Sequence, residues 1–232
     1  MRIVVNHLTR MRGDHICVAG LDIDTRLPVR PVAAAALTQK MLKRHGGMFD
    51  IAEIVDLGEV RHVGEAPEVE DHRFDLANAR SLGPMPVAEF WDLLKAVARP
   101  KLAEIFGKDL ERRGHTYATE AGRGAASLGC LAIPSQLVPR LAYPYGKLRL
   151  SLPDEQADVA VTDLRCYEPD GTSFRRKVIE DLNAGMRAGR AVVVAVGLGR
   201  PFRVPEDTAD RHWLQINNVY PAGVSLFEAD SP

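Results

Sequence analysis

Apolar and polar positions alternate with a β period at both ends of the chain and with a helical period in the middle. Arg2 to Val32 reads RIVVNHLTRMRGDHICVAGLDIDTRLPVRPV. Its β-branched runs, Ile3 to Val5 and Ile16 to Leu21, are followed by a third piece, Pro28 to Val32, and turn residues such as Gly13-Asp14 and Asp22 to Thr25 separate them. This pattern predicts a three-stranded meander. Ala33 to His45 is rich in alanine, ends in basic residues and meets Gly46-Gly47, which predicts a short helix. Phe49 to Val63 alternates apolar and acidic residues around Gly58, the pattern of a half-buried strand with a bend or bulge.

Ala66 to Pro86 is acidic and then rich in proline and glycine, and reads as a connector. From Val87 to Phe106 the apolar residues Phe90, Leu93, Leu94, Val97, Leu102, Ile105 and Phe106 recur at helical spacing, with a break forced by Pro100. Because Phe90 and Trp91 are adjacent they point to different sides of that helix. Lys108 to Gly124 is polar and glycine-punctuated, and is expected to be a long loop. Strand character returns from Ser127. Phe174 to Ala188 has helical spacing, Ala191 to Leu198 reads as a strand buried on both faces, and Trp213 to Val219 is a last alternating strand closed by Pro221.

Three strands, a short helix and more strand is the order of a small Greek-key barrel of the OB type, and it suits other small β-barrels too. The second half repeats that order without any visible sequence repeat. The expected fold class is therefore mainly β with helices (α+β): two OB-like β-barrel modules joined by a helical connector. The expected boundaries are 1–64 for the first barrel, 65–124 for the connector and 125–232 for the second barrel.

Composition changes this picture in three places. No apolar run approaches the roughly 20 residues that span a bilayer, and the opening lacks the features of a signal peptide, so a cytoplasmic protein without membrane contact is expected. The net charge of −1 argues against a strongly basic, sequence-indifferent binder of nucleic acid. Residues 1–50 nevertheless carry eight Lys/Arg against four Asp/Glu, and residues 51–80 carry three against eight, which allows separate basic and acidic faces. Cys17, Cys130 and Cys166 are far apart and odd in number, which indicates neither a disulfide framework nor a zinc site.

Two groups of residues are candidates for function. Arg10, Arg12 and Arg30 put charge on the first meander, which has no aromatic residue. They form either a solvated basic face or a set of phosphate contacts, and Arg30, within a strand, calls for a definite partner such as Glu53 or Asp56. The second group is Asp163 with Arg211, His212, Trp213 and Gln215. On a strand Arg211, Trp213 and Gln215 share one face, supplying a charge, a stacking surface and an amide that reads a base edge. The alternative is that Trp213 plugs a barrel end, Gln215 pairs across the sheet and His212 is a satisfied core histidine.

Enzyme signatures are weak. Asp163 with His212 is an acid/base pair only if the fold joins them. Ser127-Leu-Gly-Cys130 lacks a nucleophile elbow, the histidines are scattered, and Gly122-Arg-Gly124 and Gly197-Leu-Gly199 read as turns rather than phosphate loops. No catalytic residue, metal site or cofactor is expected.

The pieces NHLTRMRGDHICVAGLD, PVRPV, FDIAEIVDL, PEVEDHRFD, a helix ending in IFG, SLGCLAI, VTD at Val161 to Asp163 and RHWLQINNVYP occur in an order that resembles bacterial dual OB domain-containing proteins. The likeness runs from about Arg2 to Pro221. It implies two OB-like barrels and, through that fold, binding of nucleic acid or nucleotides. It carries no catalytic residues onto this chain. The resulting expectation is a non-catalytic protein that binds single-stranded nucleic acid or a nucleotide in a composite groove between two modules. A protein-interaction module is the alternative, and an enzyme acting on a nucleotide or nucleic acid the third reading.

Overall fold

A computed structural model describes residues 1–205 and 207–225. The first sheet contains β1 (Arg2–Arg10), β2 (Ile16–Asp22), β3 (Pro28–Val32), β4 (Glu53–Asp56), β5 (Val60–His62), β6 (Asp71–Phe74) and β7 (Arg80–Pro84), in the order β5-β6-β3-β2-β1-β4-β7. The opening meander is as the sequence pattern predicts. A bulge at Asn6, where the β1–β2 register shifts between Val5 and His7, leaves His7 and Thr9 on the face away from Leu8.

Three expectations change here. Ala33 to His45 forms two 3-10 turns, Gln39–Met41 and Lys43–His45, instead of one helix. The alanine run is diverted because the Leu37 carbonyl accepts from the Ile16 N–H and Thr38 bridges His15, so pairing with the first sheet outweighs helix propensity. Phe49 to Val63 supplies two strands on opposite sides of the sheet, separated at Gly58, whose φ is +69° and whose N–H donates to the Asp56 carboxylate at 3.0 Å. The stretch read as a connector, 66–86, supplies β6, which runs parallel to β3, and β7, which pairs with β4.

Two helices follow, α1 (Val87–Val97) and α2 (Leu102–Phe106), broken around Pro100 as expected. The segment 108–124, expected to be a loop, is a hairpin of β8 (Glu111–Arg113) and β9 (Thr116–Glu120). It escapes a pattern search because it lies at a solvated margin, where only Ala118 and Thr119 are buried. The remaining elements are β10 (Leu128–Ile133), β11 (Arg140–Ala142), β12 (Arg149–Leu152), β13 (Ala157–Val161), α3 (Arg176–Arg187), β14 (Val192–Leu198) and β15 (Arg211–Pro221). They form the second sheet in the order β10-β14-β15-β13-β12-β11, with β9 added beside β15. The described residues are thus mainly β with three α-helices.

Two hydrophobic cores hold these layers, and β14 serves both. Val192, Val194, Val196 and Leu198 enter the second core, while Val193 and Ala195 enter the first. This is why Ala191 to Leu198 reads as an unbroken apolar run: with period two, both faces of the strand are covered. α1 places Phe90 and Leu94 in the first core, and α2 places Leu102 and Phe106 in the second. Phe90 meets Tyr220 of the last strand edge to face, with ring centroids 5.7 Å apart, while Trp91 packs at the margin of the same core.

Candidate nucleic-acid interface

Cross-strand partners share a face, so the register of the second sheet defines a row of residues. Ala142 stands opposite Arg149, Arg149 opposite Ala160, Ala160 opposite Gln215, and Gln215 opposite Gly197. The positions between them in the strands, Leu141, Leu150, Val159, Ile216 and Val196, enter the second core. The row is therefore the outer face, and all its members but Gly197 are partly exposed. Trp213 lies two residues from Gln215 on the same face.

The floor of this face is kept low by glycine. A Cβ added at Gly199 would lie 2.8 Å from the Gln215 amide nitrogen, and one at Gly197 would overlap the Asn217 amide. The side chains of Gln215 and Asn217 thus lie flat over β14. Gly197 belongs to that strand rather than to a turn, whereas Gly122, at φ +78°, lies in a turn closed by the Arg123 N–H on the Glu120 carbonyl, and Gly124 follows it. Beyond Gly199, Arg200 is 56% exposed and Phe202 51% exposed. The Phe202 ring lies 6.0 Å from that of Trp213, whose Nε1 donates to the Phe202 carbonyl at 3.3 Å.

The first sheet meets this surface with a polar face of its own. Thr9 stands opposite Cys17, His7 opposite Ala19, and Arg30 opposite Asp71, and the β2–β3 register puts Arg30 on the side of Ala19. Asn217 Nδ2 donates to His7 Nδ1 at 3.0 Å, leaving the ring proton on Nε2. Burial, with the Arg30 charge as a second cause, lowers the His7 pKa to about 3, so the ring is neutral at ordinary pH. Arg30 Nε donates to Asp71 at 2.5 Å, while its buried Nη2 lies 3.6 Å from Glu68 and has no hydrogen-bond partner among the described residues. Arg200 reaches across from the second sheet to the same Glu68 and Asp71, at 2.5 and 3.4 Å. The two polar faces therefore meet at His7 and Asn217 and are bridged by Arg200.

The residues singled out from the sequence fall into three groups. Trp213 and Gln215 lie on the open face, and Arg12 is exposed in the β1–β2 turn. Arg10 donates its backbone N–H to Thr162 and holds its guanidinium 4.2 Å from the centre of the Tyr167 ring. The others are inward. Arg30 takes Asp71, not Glu53 or Asp56, which pair with Lys43 and Arg80. Arg211 is buried against Asp207 at 2.7 Å and Glu111 at 3.3 Å. His212 Nδ1 is 2.9 Å from the Gly199 carbonyl. Asp163, fully buried, holds Arg165 at 2.7 Å and accepts the Val219 N–H at 3.1 Å. Val219 and His212 are seven positions apart on one extended strand, roughly 20 Å, so Asp163 and His212 do not meet.

His7, Asn217, Arg200 and Phe202 belong to the same region but stand outside the sequence expectation. A signal for it did exist: glycine within an apolar strand marks close approach of another group. Among the described residues no cluster of His, Cys, Asp or Glu is arranged to hold a metal ion, and no helix is long and apolar enough to cross a membrane. Cys130 and Cys166 are buried free thiols, and burial pushes the pKa of Cys130 up to about 12.

Two β-rich halves that meet along a polar seam, with aromatic, amide and cationic side chains left open beside it, define a double-module β-protein. A family model for the dual OB-containing domain matches residues 1–219, and the chain belongs to that family. No curated protein and no solved structure matches the chain.

Proposed function

We propose that this protein binds single-stranded nucleic acid or a nucleotide, without catalysis, on the outer face of the second sheet, with the polar face of the first sheet as the facing wall. The observation that carries this reading is the grouping of Trp213, Gln215, Phe202 and Arg200 in one partly exposed region. A paired aromatic surface accepts a base by stacking, for roughly 1 to 3 kcal/mol per base. Gln215 offers both a donor and an acceptor to a base edge. Arg200 has a side chain more than half open to solvent, and because Arg30 also faces its partners Glu68 and Asp71, it can turn to a phosphate without leaving them uncompensated. Arg12 adds a second exposed cation from the first module.

Membership of the dual OB-containing family supports the same class of ligand, since OB folds generally bind nucleic acids or proteins. The test is anisotropy of labelled single-stranded oligonucleotides across a salt series. Binding should be present at low salt and fall steeply as salt rises. Trp213→Ala should weaken it while the thermal transition stays within a few degrees of the parent. No binding at low salt, or unchanged binding with a collapsed thermal transition in Trp213→Ala, would overturn the proposal.

A further inference from the structure

The row Ala142, Arg149, Ala160, Gln215 and Gly197 crosses five adjacent strands, with long polar side chains only at Arg149 and Gln215. The opposite face of the same strands is filled by leucine, valine and isoleucine. Small residues at three of five outward positions leave a shallow trough running across the strands.

One end of the trough is the Trp213–Phe202 pair. The other is the turn between β11 and β12, Tyr143-Pro144-Tyr145-Gly146, which begins immediately after Ala142. Tyr143 stacks at 5.3 Å against Phe174, which itself packs at 5.4 Å against Tyr167, so the base of the turn is anchored. Tyr145 at its tip is 101% exposed and has φ +53°, a left-handed conformation that a tyrosine adopts only at a cost. A fully solvated aromatic ring held on a strained turn gains nothing from folding, and this points to a partner outside the chain.

Charge on this face is complementary to a phosphate backbone. Arg140 and Arg149 project from alternate positions of β11 and β12 on the row's side, Arg200 stands beyond β14, and Lys147 lies in the turn. Arg149 is paired with Asp158 at 3.1 Å and Arg200 with Glu68 and Asp71. Arg140 and Lys147, both exposed, add positive charge to this face.

We infer that the occupant is a single strand of several nucleotides laid across β15, β13, β12 and β11, rather than a mononucleotide, with one base on Trp213 and Phe202 and another on Tyr145. This rests on the nucleic-acid reading above and adds its length and direction. From β15 to β11 is three strand spacings, about 14 Å, with the turn extending further. A lone nucleotide stacked on Trp213 does not reach Tyr145. A strand of about four or more does, within the range of site sizes for one OB fold.

The experiment measures affinity of the full chain for labelled oligothymidylates of two, four, six and eight residues, for the parent protein, Tyr145→Ala, Tyr145→Phe and Trp213→Ala. Affinity should climb steeply from two to six residues and then level off. Tyr145→Ala should weaken the six-residue ligand about five- to a hundredfold, leave the two-residue ligand and the thermal transition unchanged, and Tyr145→Phe should bind like the parent. Equal affinity for two and six residues, or no effect of Tyr145→Ala at any length, overturns the inference. If Trp213→Ala still weakens binding in that case, the nucleic-acid reading survives without it. No binding at any length overturns both.

Discussion

Asn218 serves Leu8, 210 positions away, as a substitute for a neighbouring strand: the Leu8 N–H donates to Asn218 Oδ1 at 2.7 Å, and Asn218 Nδ2 donates to the Leu8 carbonyl at 3.4 Å. One buried side chain thus satisfies both backbone groups of a residue in β1 and joins the last strand to the first. Tyr220 repeats the device two residues on, donating its hydroxyl to the Asn6 carbonyl at 2.7 Å. The seam between the halves is therefore built from specific hydrogen bonds as well as apolar contact.

Asn218→Ala leaves a buried N–H and a buried carbonyl unpaired, each worth roughly 1 to 3 kcal/mol. Urea unfolding should show a loss of about 2 to 4 kcal/mol. A loss below 0.5 kcal/mol would mean that water replaces the amide and that the seam is wetter than described.

His7 makes stability depend on pH. Its folded pKa, about 3, lies below the unfolded value of 6.5, so below pH 6.5 the unfolded chain takes up a proton that the folded chain refuses. Stability contributed by the neutral ring is present above pH 6.5 and is lost as pH falls toward 3. The loss between pH 7 and pH 5 is about 2 kcal/mol. Denaturant midpoints measured over that interval, above the carboxylate range, should decline in the parent and stay level in His7→Gln, whose Oε1 can accept from Asn217.

Gly197→Ala tests the close approach of Asn217 to β14. The added methyl must displace the Asn217 amide, which costs about 1 to 3 kcal/mol and breaks its contact with His7. A crystal structure of the variant should show Asn217 rotated away. Unchanged stability would show that the amide moves freely.

Arg211 and Arg200 should separate structural charge from ligand-facing charge. Arg211→Met removes the partner of Asp207 inside a buried pair and should cost about 2 to 4 kcal/mol in unfolding experiments. Arg200→Ala should cost less than about 1 kcal/mol. It should lower the slope of log affinity against log salt by about one unit. The reverse assignment would place the phosphate contact at Arg211 and not at the open end of the trough.

Strands with one clean periodicity were legible from the residues. β14 reads as buried on both faces because it is, and α3 reads as a helix because Ile179, Leu182 and Met186 pack on one side of it. Trp213 and Gln215 could be put on one face of the last strand by counting alternate positions. The same count placed Arg211 beside them, and there it failed: Asp207, four residues earlier, and Glu111, a hundred residues earlier, draw its guanidinium into a buried pair. Alternation fixes the side from which a chain projects and says nothing about what closes over it.

Local residue order was sufficient for the opening meander, the break at Pro100 and the doubly buried strand, because each depends on neighbours within a few positions, and the family resemblance rested on the order of such pieces along the chain. It could not yield β6, β7 or the β8–β9 hairpin, whose short, polar sequences become strands only because β3, β4 and β15 offer them unpaired backbone. Nor could it join His7 to Asn217 or Arg200 to Asp71. Those pairs exist because two sheets built from opposite ends of the chain are pressed together along β1 and β15, and side-chain partners across such a seam are chosen by proximity in space.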